Sequence, residues 1–256
     1  VSLLTVQGLS HSFGGLKAVS DFNVTLEPGE LVAVIGPNGA GKTTVFNLLT
    51  GVYKADAGIV TLDGRNLVGL PAHRIVASGV SRTFQNIRLF RELSVLDNVR
   101  VAHYSRSRAS LHHMLFRTSH YRREEARVRV SSEALLEEFG LADVIHASAS
   151  SLPYGRQRRL EIARALASRP RLLLLDEPAA GMNPHEAEDM MRLILHIRDK
   201  YKLTILLIEH QMRVVMGAAE RIIVLHFGET IAEGTPEDIR SHPAVIEAYL
   251  GREDTA

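Results

Sequence analysis

Hydrophobic and polar positions change rhythm several times along this chain. Near the N-terminus, apolar residues recur at Leu4, Val6 and Leu9, then at Phe13, Val19, Phe22, Val24 and Leu26. That loose alternation predicts short antiparallel strands. Glu27-Pro28-Gly29-Glu30 reads as a turn. Leu31 to Ile35 is a continuous, partly β-branched run that ends at a glycine, the pattern of a buried strand. From Thr43 to Thr50 the period becomes helical, with Val45, Leu48 and Leu49 on one side. Ile59 to Leu62, before Asp63-Gly64, predicts another strand and turn. Between about Ile87 and Ala167 strand-like runs give way to helical spacing and many arginines. Leu172–Leu175 and Thr204–Ile208 restore the buried-strand pattern, each flanked by helix. Ile222–Leu225 and Glu229–Ala232 form a hairpin-like pair around Gly228, and Ala244–Leu250 predicts a short last helix. The whole reads as an α/β core, residues 1–86 and 168–256, carrying a helical subdomain at 87–167.

Composition narrows the classes further. Hydrophobic residues make up 45% and charged residues 23% of 256, ordinary values that exclude disordered and collagen-like chains. A chain of this length buries a core large enough to need no disulfide or metal staple. There is no cysteine, so disulfides, thiolate metal sites and cysteine nucleophiles are ruled out. Thirty basic residues balance 29 acidic ones, which argues against a nucleic-acid-coating role. Apolar runs such as Leu172–Leu175 are too short to span a bilayer, and no secretory signal pattern opens the chain. The expectation is a soluble chain whose membrane role, if any, needs partners.

Two stretches carry chemistry. Gly36-Pro37-Asn38-Gly39-Ala40-Gly41-Lys42-Thr43 fits the phosphate-binding loop pattern, with a buried strand before it and a helix after it. Its glycines let backbone N–H groups point inward at phosphate oxygens, and the helix N-terminus adds a positive dipole end. Lys42 would then reach the β- and γ-phosphates and Thr43 a Mg²⁺ ion. Leu172–Leu175 runs into Asp176 and Glu177, two adjacent carboxylates where ligands bind in α/β sheets. Asp176 suits the metal, and Glu177 could deprotonate an attacking water. His112-His113 and His185-Glu186 do not form a His-Glu-x-x-His zinc motif.

With those two stretches in order, the chain resembles the ATP-binding subunits of ABC transporters. Gln85 in Thr83-Phe84-Gln85-Asn86 matches the Q-loop glutamine of that family, and Leu152-Pro153-Tyr154-Gly155-Arg156-Gln157 stands where its signature motif belongs. Ala180-Gly181-Met182-Asn183 stands at the D-loop, His210 at the switch histidine, and Phe13 at the aromatic that stacks on adenine. By itself Phe13 would read as core, His210 as a structural histidine and Gln85 as a polar loop residue; their joint order gives them meaning. The resemblance covers essentially the whole chain. It implies catalytic roles for Glu177, His210, Gln85 and Lys42. It implies nucleotide contacts from Phe13, Gly36, Asn38, Gly39, Ala40, Gly41, Lys42, Thr43, Thr44 and Gly155, and Mg²⁺ contacts from Thr43, Gln85 and Asp176. The signature departs from the family at Pro153 and Tyr154, where serine and glycine are usual. Proline lacks both the hydroxyl and an N–H.

Ser81–Phe90, Asp176–Pro184 and Leu206–Met212 look like the branched-chain amino acid importers of bacteria, most of all their LivG-type ATPases. The resemblance implies a head-to-tail dimer with a second ATPase subunit, paralogue or self, clamping ATP. It also implies two transmembrane permease subunits, an amino-acid-binding periplasmic protein met indirectly, and a peripheral place on the cytoplasmic face of the inner membrane. Nucleic acid is not an expected partner. Urea or lipopolysaccharide transport and a soluble, non-transporting ABC ATPase remain alternatives. The soluble type typically adds a second cassette, long coiled coils or zinc-binding cysteines, and this chain has one phosphate loop and no cysteine. A small-molecule kinase would dispense with signature and switch residues, and a non-hydrolysing module is not forced, since Lys42, Thr43, Asp176, Glu177 and His210 are all present. Arg100, Arg106, Arg108, Arg117, Arg122, Arg123, Arg127 and Arg129 crowd one part of the helical stretch. A solvated surface with local pairs through Glu124 and Glu125 is favoured over anionic lipid contact, and that over nucleic acid.

Overall fold

A computed structural model of the chain describes residues 1–104 and 119–250. His112, His113, Arg106, Arg108 and Arg117 lie outside them. The described residues divide into two compact units, one from Val1–Arg82 plus the chain from Arg171 on, the other Thr83–Pro170. The divisions fall a few residues from the expected 86/87 and 167/168.

The first unit holds two sheets. β1 (Leu4–Phe13) and β2 (Leu16–Leu26) form an antiparallel pair, joined by β4 (Ala57–Leu62) and β5 (Arg65–Asn66) in the order β2-β1-β4-β5. Leu4 and Val6 turn inward while Gln7 faces out, as the alternation requires, and a register irregularity between Val6 and Leu9 brings Leu9 inward as well. The second sheet has the order β10-β9-β3-β8-β7-β6. Its strands are β3 (Leu31–Ile35), β6 (Val80–Arg82), β7 (Leu172–Asp176), β8 (Thr204–Ile208), β9 (Arg221–His226) and β10 (Glu229–Gly234). All pairings are parallel except β9 with β10. Every residue of β3, β7 and β8 is buried, because helices must cover both faces of a parallel sheet. That is why these strands read as unbroken apolar runs.

Helices α1 (Lys42–Leu49) and α2 (Ala72–Ser78) precede β6 in the chain. The second unit contains α3 (Val95–His103), α4 (Ser119–Glu138) and α5 (Tyr154–Ala167). The Ser94 hydroxyl caps α3 by accepting from the Asp97 amide at 3.0 Å. Val95, Val99, Leu136, Phe139, Leu160 and Ile162 are buried in this unit. Arg100 pairs with Asp97 at 2.8 Å and Glu125 at 2.7 Å, and Arg129 with Glu133 at 2.8 Å. Arg100 thus ties α3 to α4 by a partly exposed pair, and Arg129–Glu133 is a local pair along α4; each is of small individual worth.

In the first unit β7 is followed by α6 (Pro184–Tyr201), opened by a capping box between Asn183 and Glu186 with Pro184 in the first turn. α7 (Met212–Ala218), α8 (Pro236–Arg240) and α9 (Pro243–Leu250) complete it. α2, β5, β6, α7 and α8 carried too few periodic residues to be read from sequence. Among the described residues no helix is long and apolar enough to cross a membrane.

Gly36 leaves β3 at φ 148°, and a Cβ there would lie 2.1 Å from the Leu225 carbonyl oxygen of β9. Gly36→Ala is therefore expected to destabilise the fold by about 2 kcal/mol or more, through a clash and a strained φ together. Gly39, at φ 80° with open space beyond it, incurs only the strain, about 1 kcal/mol on mutation to alanine. Urea unfolding of the two variants ranks them; a smaller loss for Gly36→Ala would show that β9 yields freely.

Candidate nucleotide-binding site

The loop after β3 is shaped by backbone meeting backbone. Gly36, Gly39 and Gly41 all adopt positive φ, and a Cβ on Gly41 would sit 2.5 Å from the Ala18 carbonyl oxygen. The Gly228 amide, in the β9–β10 turn, donates to the Ala40 carbonyl at 3.0 Å. The Gly228 carbonyl in turn accepts from the Ser20 amide at 2.8 Å. This strap holds the loop between the antiparallel and parallel sheets. Gly41 is the N-cap of α1 and offers no side-chain acceptor, nor is there an acidic residue in the first turn. The first amides of the helix are thus left for an anion. Asn38, Gly39 and Thr43 are exposed and Thr44 is half-buried.

Lys42 is buried, and its ammonium donates to the Gly36 carbonyl at 2.7 Å and the Pro37 carbonyl at 2.9 Å. Burial lowers its pKa, and the carboxylates of Glu177 and Asp176 pull it back up. That electrostatic reach brings both strand-end acids to the same loop. Tyr249 of α9 approaches from another side: burial raises its phenol pKa, and a hydrogen bond to the Gly36 backbone opposes the rise.

Asp176 ends β7 almost wholly buried. Its Oδ2 accepts from Arg82 Nη2 at 2.8 Å. Glu177 follows at φ 48°, a left-handed conformation rare for a residue with a side chain. Its amide donates to the Ile208 carbonyl at 2.9 Å. His210 Nδ1 lies 3.7 Å from Glu177 Oε2. Glu209, fully buried, joins His210 to Ala179, the residue just before Ala180-Gly181-Met182-Asn183. Its Oε1 accepts from the Ala179 amide at 2.9 Å, and its Oε2 from the His210 amide at 3.1 Å. Gln211 Nε2 donates to the Ala179 carbonyl at 3.3 Å. Burial raises the Glu209 pKa, against those backbone donors.

The oxygen donors present, the Thr43 hydroxyl and the Asp176 carboxylate, have the hard chemistry that Mg²⁺ takes. Among the described residues no group of three or more His, Cys, Asp or Glu could hold a metal. A Mg²⁺ ion here would thus depend on phosphate oxygens for much of its shell, as it does in nucleotide sites generally. Phe13, at the end of β1, is half-exposed. Its ring meets His11 edge-on at 4.6 Å and Tyr53 at 5.2 Å. Gln85 and Gly155 belong to the other compact unit. There Arg158, fully buried, donates to the Phe84 carbonyl at 2.6 Å, the Gln85 carbonyl at 2.7 Å and the Tyr154 hydroxyl at 3.1 Å. Gly155 lies in the first turn of α5, after an N-cap at Pro153. Arg82, Glu209, Arg158 and Tyr249 were not singled out from sequence.

Residues 19–180 match the family model described as ABC transporter. The chain belongs to the ABC transporter ATP-binding family. Residues 229–255 also match the model for the branched-chain amino acid ATP-binding cassette transporter. The chain is 48% identical over 249 residues to the Pseudomonas aeruginosa protein called high-affinity branched-chain amino acid transport ATP-binding protein BraF, covering 97% of this chain and 98% of that one. It is 49% identical over 249 residues, with the same coverage, to the corresponding protein LivG of Escherichia coli. Among solved structures it is similar to an ATP-binding cassette of an ABC transporter in its ADP conformation, with 30% identity, a TM-score of 0.84, and 98% of this chain and 99% of that one covered. The fold is that of an ABC ATPase, and the chain is an ATP-hydrolysing transporter subunit.

Glu209→Gln replaces a carboxylate oxygen facing backbone donors with an NH₂ group that cannot accept. Its expected cost is about 1–3 kcal/mol, the penalty of a buried backbone donor left without an acceptor. The raised Glu209 pKa sets the sign with pH. The wild-type advantage is full below the ordinary carboxylate value and narrows as pH rises through the raised one. Urea unfolding of both proteins across that range measures the margin; a pH-independent margin would contradict it.

Proposed function

We propose that this chain couples Mg-ATP hydrolysis to the import of branched-chain amino acids through separate membrane subunits. The observation carrying this reading is the joint match of the chain's body and of residues 229–255, the latter to a model described by that substrate class. Near-half identity to LivG and BraF along 97% of the chain supports the same solute.

The chemistry follows from the residues already placed. Backbone amides of the Gly36–Thr44 loop and first turn of α1 receive the phosphates. Lys42, now held by carbonyls, leaves them for phosphate oxygens. Thr43 and Asp176 would hold Mg²⁺, which when bound would offset phosphate charge. Glu177 takes a proton from the attacking water as its oxygen bonds to the γ-phosphorus and the bond to the bridging oxygen breaks. His210, beside Glu177, fixes the departing phosphoryl group, and Phe13 presents an open ring to the base. Gly155 and the first turn of α5 serve the γ-phosphate of a partner subunit's ATP in a head-to-tail dimer. Two permease subunits pass the resulting motion to the solute. A peripheral position at the cytoplasmic face of the membrane follows from that assembly.

Glu177→Gln is expected to keep ATP binding and lose about 10²–10⁴-fold in turnover, the usual worth of general-base catalysis. Hydrolysis at the wild-type rate would overturn the assignment. Phe13→Ala is expected to weaken ATP and ADP alike, by about 1 kcal/mol or roughly fivefold, since the base is common to both. Unchanged affinity would return Phe13 to a packing role with His11 and Tyr53. The solute is tested in vesicles holding the chain with its membrane subunits and binding protein. ATP-driven uptake of labelled leucine, isoleucine and valine is the expected result; ATP hydrolysis without that uptake would assign another solute.

A further inference from the structure

Arg82 occupies a place no motif assigns to it. It ends β6, the edge strand of the parallel sheet, and its register partner on β7 is Leu174. Its side chain is almost fully buried, 4% exposed, against an Asp176 side chain 1% exposed. The guanidinium divides its donors. Nη2 donates to Asp176 Oδ2 at 2.8 Å, while Nη1 donates to Asn47 Oδ1 at 2.6 Å and Thr50 Oγ1 at 3.3 Å. Asn47 and Thr50 lie in and just after the last turn of α1, the helix that begins at Lys42. The group also sits 5.4 Å from the centre of the Phe46 ring on the same helix. One side chain therefore bonds the strand-end carboxylate to the helix of the phosphate loop.

A fork of this kind does what a lysine cannot. The planar guanidinium fixes direction as well as charge, and it reaches acceptors on two elements at once. With Oδ2 committed to Arg82, the carboxylate cannot rotate freely about its Cβ–Cγ bond. We propose that Arg82 is a positioning residue for metal-nucleotide binding. It orients the Asp176 carboxylate relative to α1, so that the acid and the loop present one fixed metal site. The inference rests on the metal role proposed for Asp176. It predicts that loss of the fork weakens the metal's contribution to nucleotide binding while metal-free nucleotide binding persists.

The test uses the full-length chain with ADP, so that turnover plays no part. Affinity for ADP is measured by calorimetry with chelator and with Mg²⁺, and Mn²⁺ binding to the ADP complex by electron paramagnetic resonance. Asp176→Asn is the reference and is expected to remove most of the gain that Mg²⁺ brings. Arg82→Lys, which keeps charge but not the fork, is expected to weaken Mn²⁺ binding about tenfold and change metal-free ADP affinity less than twofold. Should Arg82→Lys fold poorly, Asn47→Ala removes one anchor of the guanidinium with the ion pair retained, and a weakening of about threefold is expected. Wild-type Mn²⁺ affinity in the folded Arg82 and Asn47 variants, with Asp176→Asn impaired, overturns the positioning role alone. Wild-type metal dependence in Asp176→Asn overturns both the positioning role and the metal role beneath it. Equal losses with and without metal would reduce Arg82 to a purely structural ion pair and overturn the inference.

Discussion

The close approach of backbone to backbone at Gly36, Gly41 and Gly228 is the constraint on which the rest of this site depends. Leu225 O, Ala18 O and the Gly228 turn occupy the space where side chains would stand. The phosphate loop is consequently clamped between β9, β2 and the β9–β10 turn before any ligand arrives. Because the clamp uses the carbonyl of Ala40 and not the amides at the start of α1, it stiffens the loop without consuming the donors an anion needs. Preorganisation of that sort puts the ordering cost into folding and not into binding.

Burial of charge follows from the same geometry. A loop clamped against two sheets leaves Lys42 little water, and its pKa falls accordingly. The ammonium meets the desolvation cost with the carbonyls of Gly36 and Pro37 and with two nearby carboxylates. Asp176 is buried too and meets the cost with the Arg82 guanidinium. Such pairs contribute little net stability, because desolvation offsets most of the attraction. What they do supply is direction: each buried charge has a defined set of partners and hence one orientation.

How far this was legible in the sequence depended on whether the signal was local. β3, β7 and β8 were readable because strands buried on both faces need unbroken apolar runs. The phosphate loop and the Asp176-Glu177 pair were readable because their chemistry lies within a few consecutive residues. β6 was not: three residues at a sheet edge carry no period, and with the strand went the meaning of Arg82. Glu209 carries no local signal either, since its partner at Ala179 is 30 residues away. Arg158 had the look of one arginine among many. Its acceptors, at Phe84 and Gln85, are 74 and 73 positions distant. Long-range polar contacts have no periodic signature, so only the folded chain reveals them.

The departure at Pro153 and Tyr154 shows how an altered motif can keep its backbone. Pro153 stands at the N-cap of α5 with φ −56° and ψ 152°, values its ring accepts without strain. Its carbonyl still accepts from the Gln157 amide at 3.0 Å, the first bond of the helix. A cap without a side-chain acceptor leaves the next amides, those of Tyr154, Gly155 and Arg156, facing outward from the helix start. Tyr154 has meanwhile gained a structural task that glycine could not perform. Its hydroxyl accepts from Arg158 at 3.1 Å, and its ring lies 5.8 Å from that guanidinium. Arg158 also holds the carbonyls of Phe84 and Gln85. The residue replacing the usual glycine therefore braces, through one arginine, the loop that carries Gln85, while the N-cap of α5 offers no side-chain acceptor to its first amides.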